Sequence, residues 1–90
     1  MNITMKLHSV LQKYTGGQEV VQVKGKTVGE CFNYLVRQYP EMKDKLFYKR
    51  ARLFGYFDVY VNGATIYPEN LKKPVKDGDE IAINIYIAGG

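Results

Sequence analysis

Apolar and polar positions alternate at both ends of the chain. Ile3, Met5 and Leu7 are separated by Thr4 and Lys6, and His8 follows. A period of two predicts a half-buried first strand, with Lys6 and His8 on its polar side. Ile81, Ile83, Ile85 and Ile87 alternate in the same way at the other end. They predict a final strand from Glu80 to Ile87 that runs straight into Ala88-Gly89-Gly90. Glu19 to Val23, rich in β-branched residues, reads as a second strand after a loop at Gly16-Gly17. That connection is too short for a parallel crossover, so strands one and two form an antiparallel hairpin. Phe57, Val59 and Val61 mark one face of a third strand, Tyr56 to Val61, and Asp58 and Tyr60 the other. Asn62-Gly63 then signals a tight hairpin turn, whose two central residues need positive φ, with Ala64 to Ile66 returning.

The period changes once. Val28, Cys31, Phe32, Leu35, Val36 and Tyr39 fall at i, i+3, i+4, i+7, i+8 and i+11, one apolar stripe on an amphipathic helix. Thr27 and Glu30 match a capping box at its start, and Pro40 ends it. The stretch from Glu41 to Gly55 mixes Lys43, Lys45, Lys49, Arg50 and Arg52 with aromatics and leucines, and fits a short helix followed by an extended segment. Pro68 to Lys73 is a loop or a single helical turn, and Lys76-Asp77-Gly78-Asp79 is a turn. The order strand, strand, helix, strand, short strand, strand defines an α+β class. Its compact solution is a β-grasp: a four- to five-stranded mixed sheet packed on one main helix. The first and last strands, the most apolar, are expected at its centre. Residues 1–90 form one expected domain.

Composition narrows the class. Apolar residues at 46% and charged residues at 24% are ordinary globular values. No apolar run reaches the ~18 residues of a membrane helix, and the N-terminal residues lack a signal-peptide pattern, so a cytoplasmic location is expected. The net charge is +4, small enough to be a matter of solubility. The basic residues of 43–52 lack any accompanying nucleic-acid motif, so a solvated face is expected there rather than an RNA surface.

Candidate side-chain chemistry is sparse. His8 is the only histidine, and it has no partner that general-base or metal chemistry would need. Cys31, the single cysteine, lies in the helix stripe, where burial makes a thiol inert. Asp77, Asp79 and Glu80 lack a calcium-loop pattern, and Gly16-Gly17 lacks the Gly-Lys-Ser/Thr of a phosphate loop. No metal or bound cofactor is expected. The tail remains. Two glycines let a backbone pass through a narrow channel, and from Ile87 the reach is roughly 10 Å. A carboxylate presented there is a poor electrophile until it is joined to a nucleotide as an acyl-adenylate. Sulfur could then displace AMP and leave a thiocarboxylate.

Asn62-Gly63, Leu71, Pro74-Val75, the run Lys76 to Ile81, and Ile87-Ala88-Gly89-Gly90 together resemble the C-terminal half of the MoaD/ThiS family of ubiquitin-like sulfur carriers. Met5-Lys6-Leu7, Gly16 and Thr27 to Glu30 fit its N-terminal half. The resemblance implies that Gly90 is adenylated by an E1-like adenylyltransferase that consumes ATP, then thiocarboxylated, then used as sulfur donor. Ile87, Ala88 and Gly89 would thread the tail, and Lys6, His8, Tyr60, Asn84 and Tyr86 would form the docking face. It implies a carrier rather than an enzyme, serving the large subunit of a molybdopterin synthase or an analogous acceptor. A thiamine-type carrier, a protein modifier joined through Gly90, and a β-grasp RNA- or protein-binding module stand as alternatives.

Overall fold

A computed structural model describes residues 2–49, 52–53, 57–66 and 70–85. Seven strands occur among them: β1 (Asn2–Leu7), β2 (Val20–Lys24), β3 (Phe47–Lys49), β4 (Arg52–Leu53), β5 (Phe57–Val61), β6 (Ala64–Thr65) and β7 (Glu80–Ile85). Five make one sheet in the order β2-β1-β7-β5-β6. β1 and β7 are parallel, with Met5 opposite Ile81 and Leu7 opposite Ile83, and every other pairing in the sheet is antiparallel. The first and last strands are therefore its centre, as their apolar character predicts. The mixed sheet and its helix are those of the ubiquitin-like β-grasp fold.

Alternation decides which face of each strand is covered. Ile3, Met5, Leu7, Val21, Val23, Val59, Val61, Ile81 and Ile83 are buried. They share one core with Val28, Cys31, Phe32 and Leu35 of helix α2 (Val28–Gln38). Thr27 caps that helix, its Oγ1 accepting from the Glu30 N–H at 3.1 Å. The second half of the predicted box is displaced by one residue: Glu30 Oε1 accepts from the Lys26 N–H at 2.9 Å. Gly25 accounts for the tight bend here. A Cβ on it would lie 2.7 Å from the Cys31 nitrogen and 2.8 Å from the Glu30 Cβ.

Several expectations need correction. The stretch after β1 is not a plain loop: Ser9–Gln12 form a short helical turn, α1, and Lys13–Thr15 a 3-10 turn. Four residues are too few to show a helical period. β2 starts at Val20 rather than Glu19, and runs to Lys24. The short helix and extended segment expected after Pro40 are present as α3 (Lys43–Leu46) and β3, and the structure adds a 3-10 turn before them (Pro40–Met42) and pairs β3 with β4 as a hairpin. Ile66 lies past β6 and is buried. Pro68 lies outside the described residues, and Asn70–Lys72 form a single 3-10 turn. β7 is described as far as Ile85.

Candidate functional site: the outer sheet face and the strand leading to the tail

β7 aims the C-terminal segment, and its foundations are unusually specific. At its start, Lys76-Asp77-Gly78-Asp79 turns with Gly78 at φ +88°. The turn is tied to the first residues of β1 by three bonds. The Asn2 N–H donates to Asp77 Oδ1, the Gly78 N–H to the Asn2 carbonyl, and the Thr4 N–H to the Asp79 carbonyl, at 2.8, 2.9 and 3.1 Å. Asp79 is buried. Its Oδ1 accepts from Asn62 Nδ2 at 3.0 Å and its Oδ2 from the Lys76 N–H at 2.9 Å. Asn62 in turn accepts the Glu80 N–H on Oδ1 and donates its own N–H to the Glu80 carbonyl. The Asn62 amide, and then the Lys76 N–H, hold the Asp79 carboxyl below the ordinary carboxylate range, because both favour the ionised form. Asn62 and Gly63 adopt φ +51° and +84°, as their turn requires.

Along β7, Ile81 and Ile83 are wholly buried and Ile85 is half-buried. The strand lies between β1 and β5, so both of its edges are hydrogen-bonded. A doubly paired strand anchored by two buried isoleucines is a rigid base for whatever follows it. Tyr86, Ile87, Ala88, Gly89 and Gly90 lie outside the described residues. Five residues from Ile85 reach roughly 17 Å when extended.

The face of the sheet opposite α2 carries one register row across all five strands. Val20 pairs with Lys6, Lys6 with Ala82, Ala82 with Tyr60, and Tyr60 with Thr65. At about 4.8 Å per strand the row spans roughly 19 Å. Asn84 lies beside Asp58 in the next row toward the end of β7. The structure thus brings Lys6, Tyr60 and Asn84 together on one face, as expected. It does not bring His8 into that row. β1 ends at Leu7, and His8 caps α1 instead, its Nδ1 accepting from the Val10 N–H at 3.2 Å. Val20, Ala82, Asp58 and Thr65 share the face but were not among the expected docking residues. Strand parity was the available signal: with Val21 and Val23 inside, Val20 must point outward, and it is 42% exposed.

Cys31 is fully buried and free, and burial, more than the nearby Glu30 charge, pushes its thiol up to about 11. Among the described residues, no group of three or more His, Cys, Asp or Glu could hold a metal ion. No helix among them is long and apolar enough to cross a membrane.

A β-grasp sheet with its last strand at the centre, in a sequence that continues into Gly-Gly, is the architecture of ubiquitin-like proteins. The chain belongs to the ThiS family of ubiquitin-like sulfur carriers, whose model matches residues 5–90. The sulfur carrier protein CysO of Mycobacterium tuberculosis is 29% identical over 93 residues, covering all of both chains. The CysO of Amycolatopsis orientalis, solved in a complex with BexX, superposes with a TM-score of 0.87 at 32% identity, covering 98% of this chain and 99% of that one. The small archaeal modifier protein 1 of Methanosarcina acetivorans gives 0.85 at 28% identity, covering 99% and 96%.

Proposed function

We propose that the chain carries sulfur as a thiocarboxylate on Gly90 and acts as the substrate of its partners rather than as an enzyme. The observation that carries this reading is the mounting of β7. Its two hydrogen-bonded edges and buried isoleucines end three residues before Ala88-Gly89-Gly90 in sequence, and the family match extends through residue 90. The single thiol is buried and His8 serves as a helix cap, so neither competes with the tail as a reacting group.

The chemistry follows from the carboxyl group. Its oxygen attacks the α-phosphorus of ATP in an E1-like adenylyltransferase, and pyrophosphate leaves. Hydrosulfide then attacks the acyl carbon, the acyl–phosphate bond breaks and AMP departs, giving the thiocarboxylate. The activated carbon must pass into the partner's pocket, which glycines at 89 and 90 permit by removing Cβ atoms. Meanwhile the outer face, from Val20 to Thr65, docks the body of the carrier. Tyr60 suits that role because it joins apolar area to a polar tip. The large subunit of a molybdopterin synthase is the acceptor implied by family resemblance. The relatives above are named as sulfur carriers and a modifier, so the proposal is delivery of sulfur to an acceptor enzyme, with the molybdopterin and thiamine routes as the acceptors to test first.

The likeness to a small archaeal modifier favours one second reading, conjugation of Gly90 to lysines of other proteins. Both readings need the same acyl-adenylate, and only the nucleophile differs. Gly90→Ala separates fold from function. Its thermal unfolding should match that of the wild type, while adenylation or sulfur transfer falls at least about tenfold because the added methyl obstructs the channel. Unimpaired transfer by Gly90→Ala would sink the scheme.

A further inference from the structure

Ten residues hold the entire net charge of the chain. Between 43 and 52, Lys43, Lys45, Lys49, Arg50 and Arg52 face one acid, Asp44, so the segment bears the same +4 as the whole chain. Removing those five from thirteen basic residues, and that one from nine acidic residues, leaves eight of each sign elsewhere. The rest of the carrier is neutral.

The first part of the segment, around α3, is firmly mounted. Met42 and Leu46 are wholly buried on either side of Lys43 and Lys45, which are exposed. Phe47 sets its ring edge-on to Phe32 in the core, with centroids 6.0 Å apart and planes at 83°. β3 and β4 then pair Phe47 with Leu53 and Lys49 with Arg52. Like charges at opposed cross-strand positions destabilise a hairpin, and a two-stranded hairpin has little stability in reserve. Folding alone gives no reason for this arrangement.

Its position does. Leu53 is four residues before Phe57, hence within roughly 14 Å of it. Phe57 pairs with Ile85, the last described residue of β7. α2 begins beside Lys73 and Pro74, just before β7 starts, and α3 follows the far end of α2, so Lys43 and Lys45 stand toward the end of the sheet to which β7 runs. Any enzyme that takes up Gly90 approaches this end.

We propose that Lys43 and Lys45 of α3 are an electrostatic docking element for an acidic rim around the pocket of the activating enzyme. This rests on the adenylation reading above. Complementary charge beside a site raises the rate of productive encounter more than it changes the bound state. A nucleic acid suits the segment less well. Phe47, which a base could otherwise stack on, is half-buried and already engaged by Phe32.

The test compares two charge reversals in the full chain with its cognate adenylyltransferase, read by ATP–pyrophosphate exchange across a range of salt. Lys43→Glu/Lys45→Glu should lower kcat/KM at least about tenfold at low salt, leave kcat at saturation unchanged, and flatten the salt dependence. Lys24→Glu/Lys26→Glu removes the same charge at the opposite end of the sheet and should change kcat/KM by less than about twofold. All four positions are exposed, and thermal unfolding checks both variants. Equal losses in the two variants would reduce the effect to net charge and overturn the proposal, as would no loss in the first. Retained kcat/KM together with loss of binding to a labelled single-stranded RNA would assign the segment to nucleic acid instead. If the wild type is not adenylated at all, the functional reading fails and takes this proposal with it. If it is adenylated but indifferent to Lys43 and Lys45, only the docking element fails.

Discussion

Asp79 and Asn62 show how much of the fold rests on single polar side chains. Asn62-Gly63 was legible as a turn because both positions need positive φ, which Asn and Gly tolerate. Asp79 was legible only as a turn residue. Its burial and its bond to Asn62, seventeen positions away, depend on β5 and β7 being neighbours, which no local pattern contains. Because its folded-state carboxyl titrates below the ordinary range, ionised Asp79 stabilises the fold at neutral pH. That contribution is lost as pH falls through the folded-state value. Asp79→Asn should therefore lower stability at pH 7 and weaken the further loss of stability between about pH 5 and pH 2, as followed by urea unfolding across pH. An unchanged acid profile would remove Asp79 from this role. His8 makes the opposite point: parity assigned it to the sheet face, but the strand ends one residue earlier and a local backbone N–H takes its imidazole nitrogen.

Elements with a long period were read to the residue, and short ones only in outline or, for α1, not at all. The stripe from Val28 to Leu35 and the isoleucines of β7 each repeat often enough to identify a buried face. α1, α3 and the β3–β4 hairpin are two to four residues long per element, too short to display a period, and they are set by packing of Leu11, Met42 and Leu46 into the core. The parallel pairing of β1 with β7 was also beyond local pattern, since it joins residues nearly eighty positions apart. The two faces of β7 make an internal control. Ile83→Ala should cost roughly 2–5 kcal/mol in chemical denaturation, because it opens a cavity at the sheet–helix interface. Ala82→Lys, one residue away on the outer face, should stay within about 0.5 kcal/mol. Similar costs for both would mean that the faces are misassigned.

The whole molecule divides its tasks by region. The sheet–helix core fixes β7, the outer face offers a broad surface around Lys6, Ala82 and Tyr60, and the net positive charge is gathered in 43–52 near the end toward which β7 runs. Of the proposed site, Lys6, Tyr60 and Asn84 were legible from strand parity, whereas the tail residues Tyr86 to Gly90 were singled out by composition and family resemblance. The reaction proposed for them uses a main-chain carboxyl, which leaves no trace in side-chain spacing.

The central claim is that this carboxyl becomes a thiocarboxylate. Co-expression of the full chain with its activating enzyme and a sulfur donor, followed by intact mass and fragmentation, measures it directly. The account predicts a gain of about 16 Da, sulfur replacing oxygen, confined to a fragment ending at Gly90 and absent from a chain lacking Gly89-Gly90. An unchanged mass, or the same gain in the truncated chain, would contradict it.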